Sequence, residues 1–187
     1  GLGLAGELAR DHEVWVFDRK RVGREASYAA AGMLGPVMEV EFDEPELLSL
    51  NQTSHGLYPE FVEGLEEETG VDTGFRTEGT LFVAINPPEQ EELERLYEYQ
   101  TRLELDVQKL SVDECRDREP RISNYISRAL YTASDFQIDN RKLLRALRVR
   151  CEQRGVHLRE NEPVEQIRCG EESFHGLETR EGRYQGD

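Results

Sequence analysis

The sequence predicts an α/β fold: a βαβ-like start, a mixed insert in the middle, then a helix and strands again. Three observations predict it. Gly1 to Gly6 spell G-x-G-x-x-G ahead of an apolar run that ends in Asp18. Ala29-Ala30-Ala31-Gly32 follows, and only such small side chains let backbone lie flat against a ligand. Beyond it the hydrophobic period alternates between that of helices and that of short strands, with no internal repeat and no low-complexity linker.

The glycine spacing sets the register of the first part. In a dinucleotide-binding unit the glycine turn opens a helix, and an acidic residue lies about 20 residues further on, at the end of the second strand. Residues 13–17 read as that strand and Asp18 as its acidic end. Were Gly6 the last glycine of the motif, only Glu7 to Asp11 would remain for the crossover, far less than a parallel connection needs. With Gly1 as the last glycine, residues 2–10 form the helix, Ala5, Leu8 and Ala9 face inward, and Asp11-His12 turns the chain. Gly1 is therefore read as the end of a motif whose earlier glycines and first strand precede this sequence. Gly3 and Gly6 then sit inside a helix, at roughly 1 kcal/mol each against Ala, a cost that close packing against a neighbour offsets.

The remaining elements follow in order. Arg19 to Arg24 is a basic loop, and Pro36 and Pro45 mark breaks. Residues 46–69 read as a helix buried along Leu47, Leu50, Ser54, Leu57, Phe61 and Leu65, kinked or restarted at Pro59 and stopped at Gly70. Residues 79–85 form a short buried strand ended by Pro87-Pro88, and 89–104 a charged helix. Ser111-Val112-Asp113-Glu114 is a capping box, and Pro120 stops its helix. Residues 129–131 read as a strand. Asp139 caps a helix running to about Arg154, with Leu143, Leu144, Leu147 and Cys151 inward and six basic residues on a solvated face. Gly155 ends it; 156–158 and 163–167 are strands, and 174–184 is a hairpin around Glu181-Gly182.

Composition narrows the partners. In 187 residues, Lys+Arg 23 against Asp+Glu 39 gives a net charge of −16, which repels nucleic acid and anionic membrane. No apolar run reaches transmembrane length. Cys115, Cys151 and Cys169 are an odd set without a CxxC, so neither a disulfide framework nor a zinc site is expected, and reduced cytoplasmic thiols are the plain reading. The four histidines stand alone and read as structural, and no metal site is expected. A generic α/β domain without cofactor is the alternative at this point.

"GREASYAAAGML" at 23–34 resembles the flavin-binding loop of the D-amino-acid oxidase family of FAD-dependent oxidoreductases, in particular its glycine-oxidising members. "ELAR" with "EVWVFDR", "YPEFVEGLEEETGVDTGFRTEGTLFVA", "REP" and "DFQIDNRKLLRAL" match the same family in order. The likeness runs along nearly the whole chain; the segment at 23–34 is specific, whereas a strand ending in Asp is weak alone. It implies a Rossmann-like FAD-binding domain over 1–45 and 134–187, its first strand missing here, interrupted by an α+β substrate domain with antiparallel strands over 46–133. Members are roughly twice this length, so the resemblance implies an N-terminal half that is inactive alone, with the catalytic and substrate-carboxylate residues outside it.

The resemblance also implies roles. The start of the helix at Gly1 faces the FAD pyrophosphate, where orphan N–H groups favour anions. Asp18 accepts hydrogen bonds from the adenosine ribose, and Arg19 lies along the adenine side; a charged pair on a surface turn is the alternative for both. Ser27 donates to a phosphate or holds the loop. Ala30, Ala31, Gly32 and Leu34 belong to backbone passing under the flavin. Met33 sits beside the ring at the substrate pocket, its soft side chain suited to that contact. Val164 brackets the adenine with its backbone. Core packing is the alternative for Met33 and Val164. The implied reaction is FAD-dependent oxidative deamination of glycine or a similar small amine, with hydride transfer to flavin N5 and peroxide release, the imine feeding thiamine thiazole synthesis. Its partners are the amine and oxygen, with no nucleic acid and no membrane; a homo-oligomer is left open for the whole protein. Sarcosine or D-amino-acid oxidation, a quinone-linked dehydrogenase and a non-catalytic module remain the alternatives.

Overall fold

The structure is a computed structural model that describes residues 1–40, 42, 45–170 and 173–186. In chain order its elements are α1 (Leu2–Leu8), β1 (Trp15–Asp18), α2 (Ala26–Ala29), β2 (Met33–Leu34), α3 (Pro45–Thr69), β3 (Thr80–Ala84), α4 (Pro87–Arg102), β4 (Gln108–Leu110), α5 (Val112–Arg118), β5 (Arg128–Thr132), β6 (Phe136–Gln137), α6 (Asn140–Gln153), β7 (His157–Glu160), β8 (Gln166–Cys169), β9 (Phe174–Glu178) and β10 (Arg183–Tyr184). The fold is mixed α/β. It divides into two compact units: residues 1–31, 63–73 and 140–187, and residues 32–62 and 74–139. The chain passes between them at 31/32, 62/63, 73/74 and 139/140. In the second unit β2 pairs antiparallel with β6, Met33 opposite Gln137 and Leu34 opposite Phe136.

In the first unit β1 and β7 pair in parallel, Trp15 opposite His157 through Asp18 opposite Glu160. Helix α1 packs on α6. Its buried residues are Leu2, Ala5 and Gly6, while Leu8 is exposed, so the inward face is rotated from the expected Ala5, Leu8 and Ala9. The two helical glycines differ. A Cβ on Gly6 would meet Arg150 Cδ at 3.2 Å and Cys151 Sγ at 3.8 Å, the close packing that justifies the glycine; one on Gly3 would meet nothing within 4 Å. A second, antiparallel sheet runs β10-β9-β8, and its β9–β10 turn closes with Thr179 N–H to Gly182 O at 2.9 Å. Strand β8 begins at Gln166, later than the expected 163–167; Glu162 is held by the end of β1, its N–H bonding Asp18 O, and Glu165 N–H bonds Glu178 O of β9 as the chain enters β8. Val164 therefore lies in the connection before β8.

The basic residues of α6 are only partly solvated: Arg141, Lys142 and Arg145 are exposed as expected, whereas Arg150 and Arg154 are not. Arg150 is buried and pairs with Glu7 at 3.2 Å and Glu68 at 3.0 Å. Arg154 grips Glu68 with two hydrogen bonds of 2.6 Å and donates to Gly6 O. Burial of a guanidinium is tolerated where carboxylates and a carbonyl compensate its lost hydration.

The second unit is built on the antiparallel sheet β3-β5-β4. Strand β3 thus pairs in a sheet other than that of β1. Alternation along β3 and β5 sorts the core onto two faces. On one, Ala84 and Leu130 pack with Leu93 of α4 and with Met38. On the other, Ala129 packs with Cys115 of α5 and Ile126, flanked by Leu81 and Val83. The α5 capping box is present, Ser111 Oγ accepting from Glu114 N–H and Glu114 accepting from Ser111 N–H. Pro87 and Pro88 end the strand by starting α4, whose N-cap is Asn86. Gly79 has φ +85, and a Cβ there would lie 2.2 Å from Thr132 O; only glycine fits this entry into β3.

Helix α3 runs on through Pro59. Of the expected stripe, Leu65 is buried and Phe61 half-buried, but Leu47, Leu50, Ser54 and Leu57 are exposed, and His55, Tyr58 and Val62 turn inward instead. The reason is aromatic: His55 stacks on Phe136 with ring centroids 3.9 Å apart, and Tyr58 stacks on Phe75 at 6.4 Å. Gly70 ends the helix with φ +67. No described helix is long and apolar enough to cross a membrane. Cys115, Cys151 and Cys169 are all free thiols.

Candidate functional site

The first unit places four kinds of sequence-chosen residue around β1 and α2. Asp18 ends β1, as the motif requires. Its Oδ1 accepts the Lys20 N–H at 2.8 Å and turns the chain away from the strand. Among the described residues nothing donates to Oδ2, so one oxygen is committed to the turn and the other is available to a hydroxyl. Arg19 forms a two-pronged pair with Glu25, at 2.9 and 2.8 Å, and Lys20 pairs with the same carboxylate at 3.0 Å. These two cations hold the Glu25 carboxyl below its ordinary range, and Glu25 in turn raises Arg19. This is the charged surface pair weighed as the alternative for Arg19. The basic loop is fixed from below, where Glu160 accepts Val22 N–H at 3.0 Å.

Gly1 is the N-cap of α1. Ser27 lies exposed in α2, and its carbonyl accepts Asn140 Nδ2 at 2.6 Å. Tyr28 is sandwiched by two guanidinium groups, Arg24 at 4.7 Å and Arg141 at 4.5 Å from its ring centre; each such contact is worth about 0.5–1 kcal/mol at an exposed site. Together these pin α2 onto the start of α6. Ala30 turns extended, with φ −60 and ψ 150, and Ala31 is exposed. Val164, 39 % exposed, lies well away in sequence on the connection before β8.

The second unit holds the continuation. Gly32 has φ +84, a conformation that side chains resist, and its carbonyl accepts Ile138 N–H at 2.9 Å. Met33 is 56 % exposed. Leu34 is half-buried opposite Phe136. Met33 lines a pocket of about 180 Å³ together with Gly35, Glu39, Asn51, Ser54 and His55, with Tyr58 at its side. His55 Nε2 is buried and finds no hydrogen-bond partner among the described residues, and burial holds the ring below the ordinary histidine value. Burial, then the Asp135 charge, raises Glu39. A polar pocket of this size beside an exposed methionine has room for a molecule of a few heavy atoms and supplies donors and acceptors to it.

Behind that pocket lies a group the sequence reading missed. Asp135 is fully buried. Its two carboxylate oxygens accept Val37 N–H at 3.0 Å and Met38 N–H at 3.1 Å, and the Thr80 side chain also bonds it. Burial pushes its carboxyl up, and these donors pull it back. Nothing in "TASDFQ" marks this aspartate from an ordinary turn residue; its role exists only once residues 37 and 38 lie against it.

Each unit by itself offers a feature suited to part of a flavin nucleotide: in the first, the Asp18 carboxylate at a strand end; in the second, the side-chain-free backbone of Gly32. The sequence profile of the family described as "FAD dependent oxidoreductase" (DAO) matches residues 1–186. A glycine oxidase of Geobacillus kaustophilus is 34% identical over 186 residues, 98% of this chain and 49% of the relative. The bifunctional protein ThiO/ThiG of Synechocystis is 30% identical over 190 residues, 100% of this chain and 27% of the relative. The crystal structure of the Geobacillus kaustophilus glycine oxidase superposes with a TM-score of 0.88, covering 99% of this chain and 50% of that one. The chain spans about half the length of the glycine oxidases it matches.

Proposed function

Because the chain belongs to the DAO family of FAD-dependent oxidoreductases, we propose that the whole protein oxidises a small amino acid or amine, glycine foremost, to its imine. The observation that carries this reading is the likeness to proteins named glycine oxidase along 98% of the chain. FAD, when bound, supplies the acceptor for a hydride from the substrate Cα at its N5 and passes the electrons to oxygen as peroxide.

The chain's own residues bind and orient. The free oxygen of Asp18 accepts from the adenosine ribose, where a charged acceptor makes a strong hydrogen bond. The α1 start at Gly1 and the Ser27 hydroxyl serve the phosphates. Arg19, while paired with Glu25, lines the adenine side, and Val164 brackets the adenine with backbone. Ala30, Ala31, Gly32 and Leu34 give the flavin ring a surface of backbone and small side chains. Met33 stands at the substrate pocket as an apolar wall. The imine feeds the thiazole half of thiamine, and the protein works in the cytoplasm.

The test is made on the purified whole protein. A flavin absorbance band and glycine-dependent peroxide support the reading. Glycine turnover with a quinone but without peroxide favours a dehydrogenase of the same family. Colourless protein without flavin sinks the oxidase. Sarcosine and D-alanine, compared by kcat/KM, fix the substrate order.

A further inference from the structure

Residues 32–38 form a strap fastened at two points in the second unit. At one end Gly32 O takes Ile138 N–H and β2 pairs with β6. At the other, the buried Asp135 carboxylate holds the N–H groups of Val37 and Met38. Met33 and Glu39, at the two ends of this strap, both line the 180 Å³ pocket. The carboxylate leaves the strap little slack, because a Cβ built on Gly35 would stand 3.2 Å from Asp135 Oδ2.

We propose that Asp135 is a positioning residue for the reaction: its carboxylate fixes the strap and through it the place of Met33 at the pocket. This rests on the oxidase reading for its kinetic consequence, though the anchoring itself does not. Asp135 has no route to substrate of its own, being fully buried, and acts only through the backbone it holds. A charged acceptor with two N–H donors is worth more than a neutral one. Asparagine in its place keeps one acceptor and turns an NH2 toward the other N–H, which leaves that donor unsatisfied.

The experiment uses the whole flavoprotein, wild type against Asp135→Asn, Met33→Leu and the double variant. In Asp135→Asn the Val37 and Met38 amides should exchange about ten- to a hundredfold faster, while those of Leu130 and Tyr131 in β5 keep their protection. The glycine kcat/KM should fall, and Met33→Leu should change it several-fold less in the Asp135→Asn background than in wild type, since the side chain is then already misplaced. Unchanged exchange at Val37 and Met38 overturns the anchor. Effects of the two substitutions that simply multiply, or released amides with undiminished kcat/KM, overturn the positioning role. Should Asp135→Asn not accumulate, the wild-type protein decides: Val37 and Met38 amides protected as well as Leu130 support the anchor, and amides exchanging at exposed rates overturn it. A wild type that turns over no amine removes the oxidase reading alone, and the exchange data still judge the anchor.

Discussion

Arg148 and Glu160 meet in a twin hydrogen bond, Nη1 to Oε1 at 2.6 Å and Nη2 to Oε2 at 3.3 Å. The same Glu160 oxygen takes Val22 N–H, and Glu160 sits directly opposite Asp18 in the parallel ladder. One carboxylate thus joins α6, the end of β7 and the basic loop beside the proposed ribose acceptor.

Glu160→Ala should cost about 1–2 kcal/mol, allowing for solvent at a pair that is only partly covered. Arg148 holds the Glu160 carboxyl below its ordinary range. The folded value is thus the lower one, so the stabilisation is full above the unfolded value of about 4.3. It is lost as pH falls through that value and on to the folded one. Urea melts of wild type and Glu160→Gln from neutral to acid pH should converge at the acid end. A gap that stays constant assigns the effect to packing.

Gly79→Ala should be among the most damaging single substitutions in the second unit. The new Cβ would overlap Thr132 O and the Tyr131 ring, at 2.2 and 2.9 Å, in a backbone with φ +85. Strain and clash together predict a loss above about 2 kcal/mol, read as a drop in thermal midpoint. Gly3→Ala, which meets nothing and sits in a helix, should gain up to about 1 kcal/mol.

Asp18→Ala should weaken FAD binding to the apo-protein by about 1.5–3 kcal/mol, roughly ten- to a hundredfold. Arg19→Ala removes an exposed pair with Glu25 and should change affinity far less. Titration followed by flavin fluorescence separates the two, and equal losses would make Arg19 a direct contact to the nucleotide.

Gly32→Leu should abolish FAD binding, because it adds bulk to backbone already at φ +84. Met33→Leu nearly keeps volume and apolarity, so FAD should stay bound while turnover or substrate preference shifts. Wild-type flavin affinity in Gly32→Leu would displace the ring from this loop.

Local chemistry made much of the fold legible. The Ser111–Glu114 box, Gly70 and Gly155 as helix ends, and Asp18 at its strand end are set by neighbours a few residues away, and each stands where spacing puts it. What the sequence hid depends on partners far along the chain. Leu47, Leu50 and Leu57 make a plausible buried stripe, yet Phe75 and Phe136 draw the His55–Tyr58 side inward instead. Arg150 and Arg154 read as solvated until Glu7 and Glu68 arrive from two other helices. In the candidate site, Asp18 and the 30–34 run were readable as motif. Asp135 and His55 were not, since neither carries a spacing signature and both gain meaning only by packing.

The strap also has a history within synthesis. Val37 and its carboxylate are 98 residues apart, so at elongation rates of about 5–20 residues per second residues 33–38 leave the ribosome some 5–20 s before the group that fastens them. Closing a loop of that length is an entropic cost that local turns such as Glu25 to Ala30 do not carry. During that interval two apolar residues and two uncommitted amide groups stand open to any chaperone or neighbouring nascent chain, and the pocket wall is among the last parts of its unit to set.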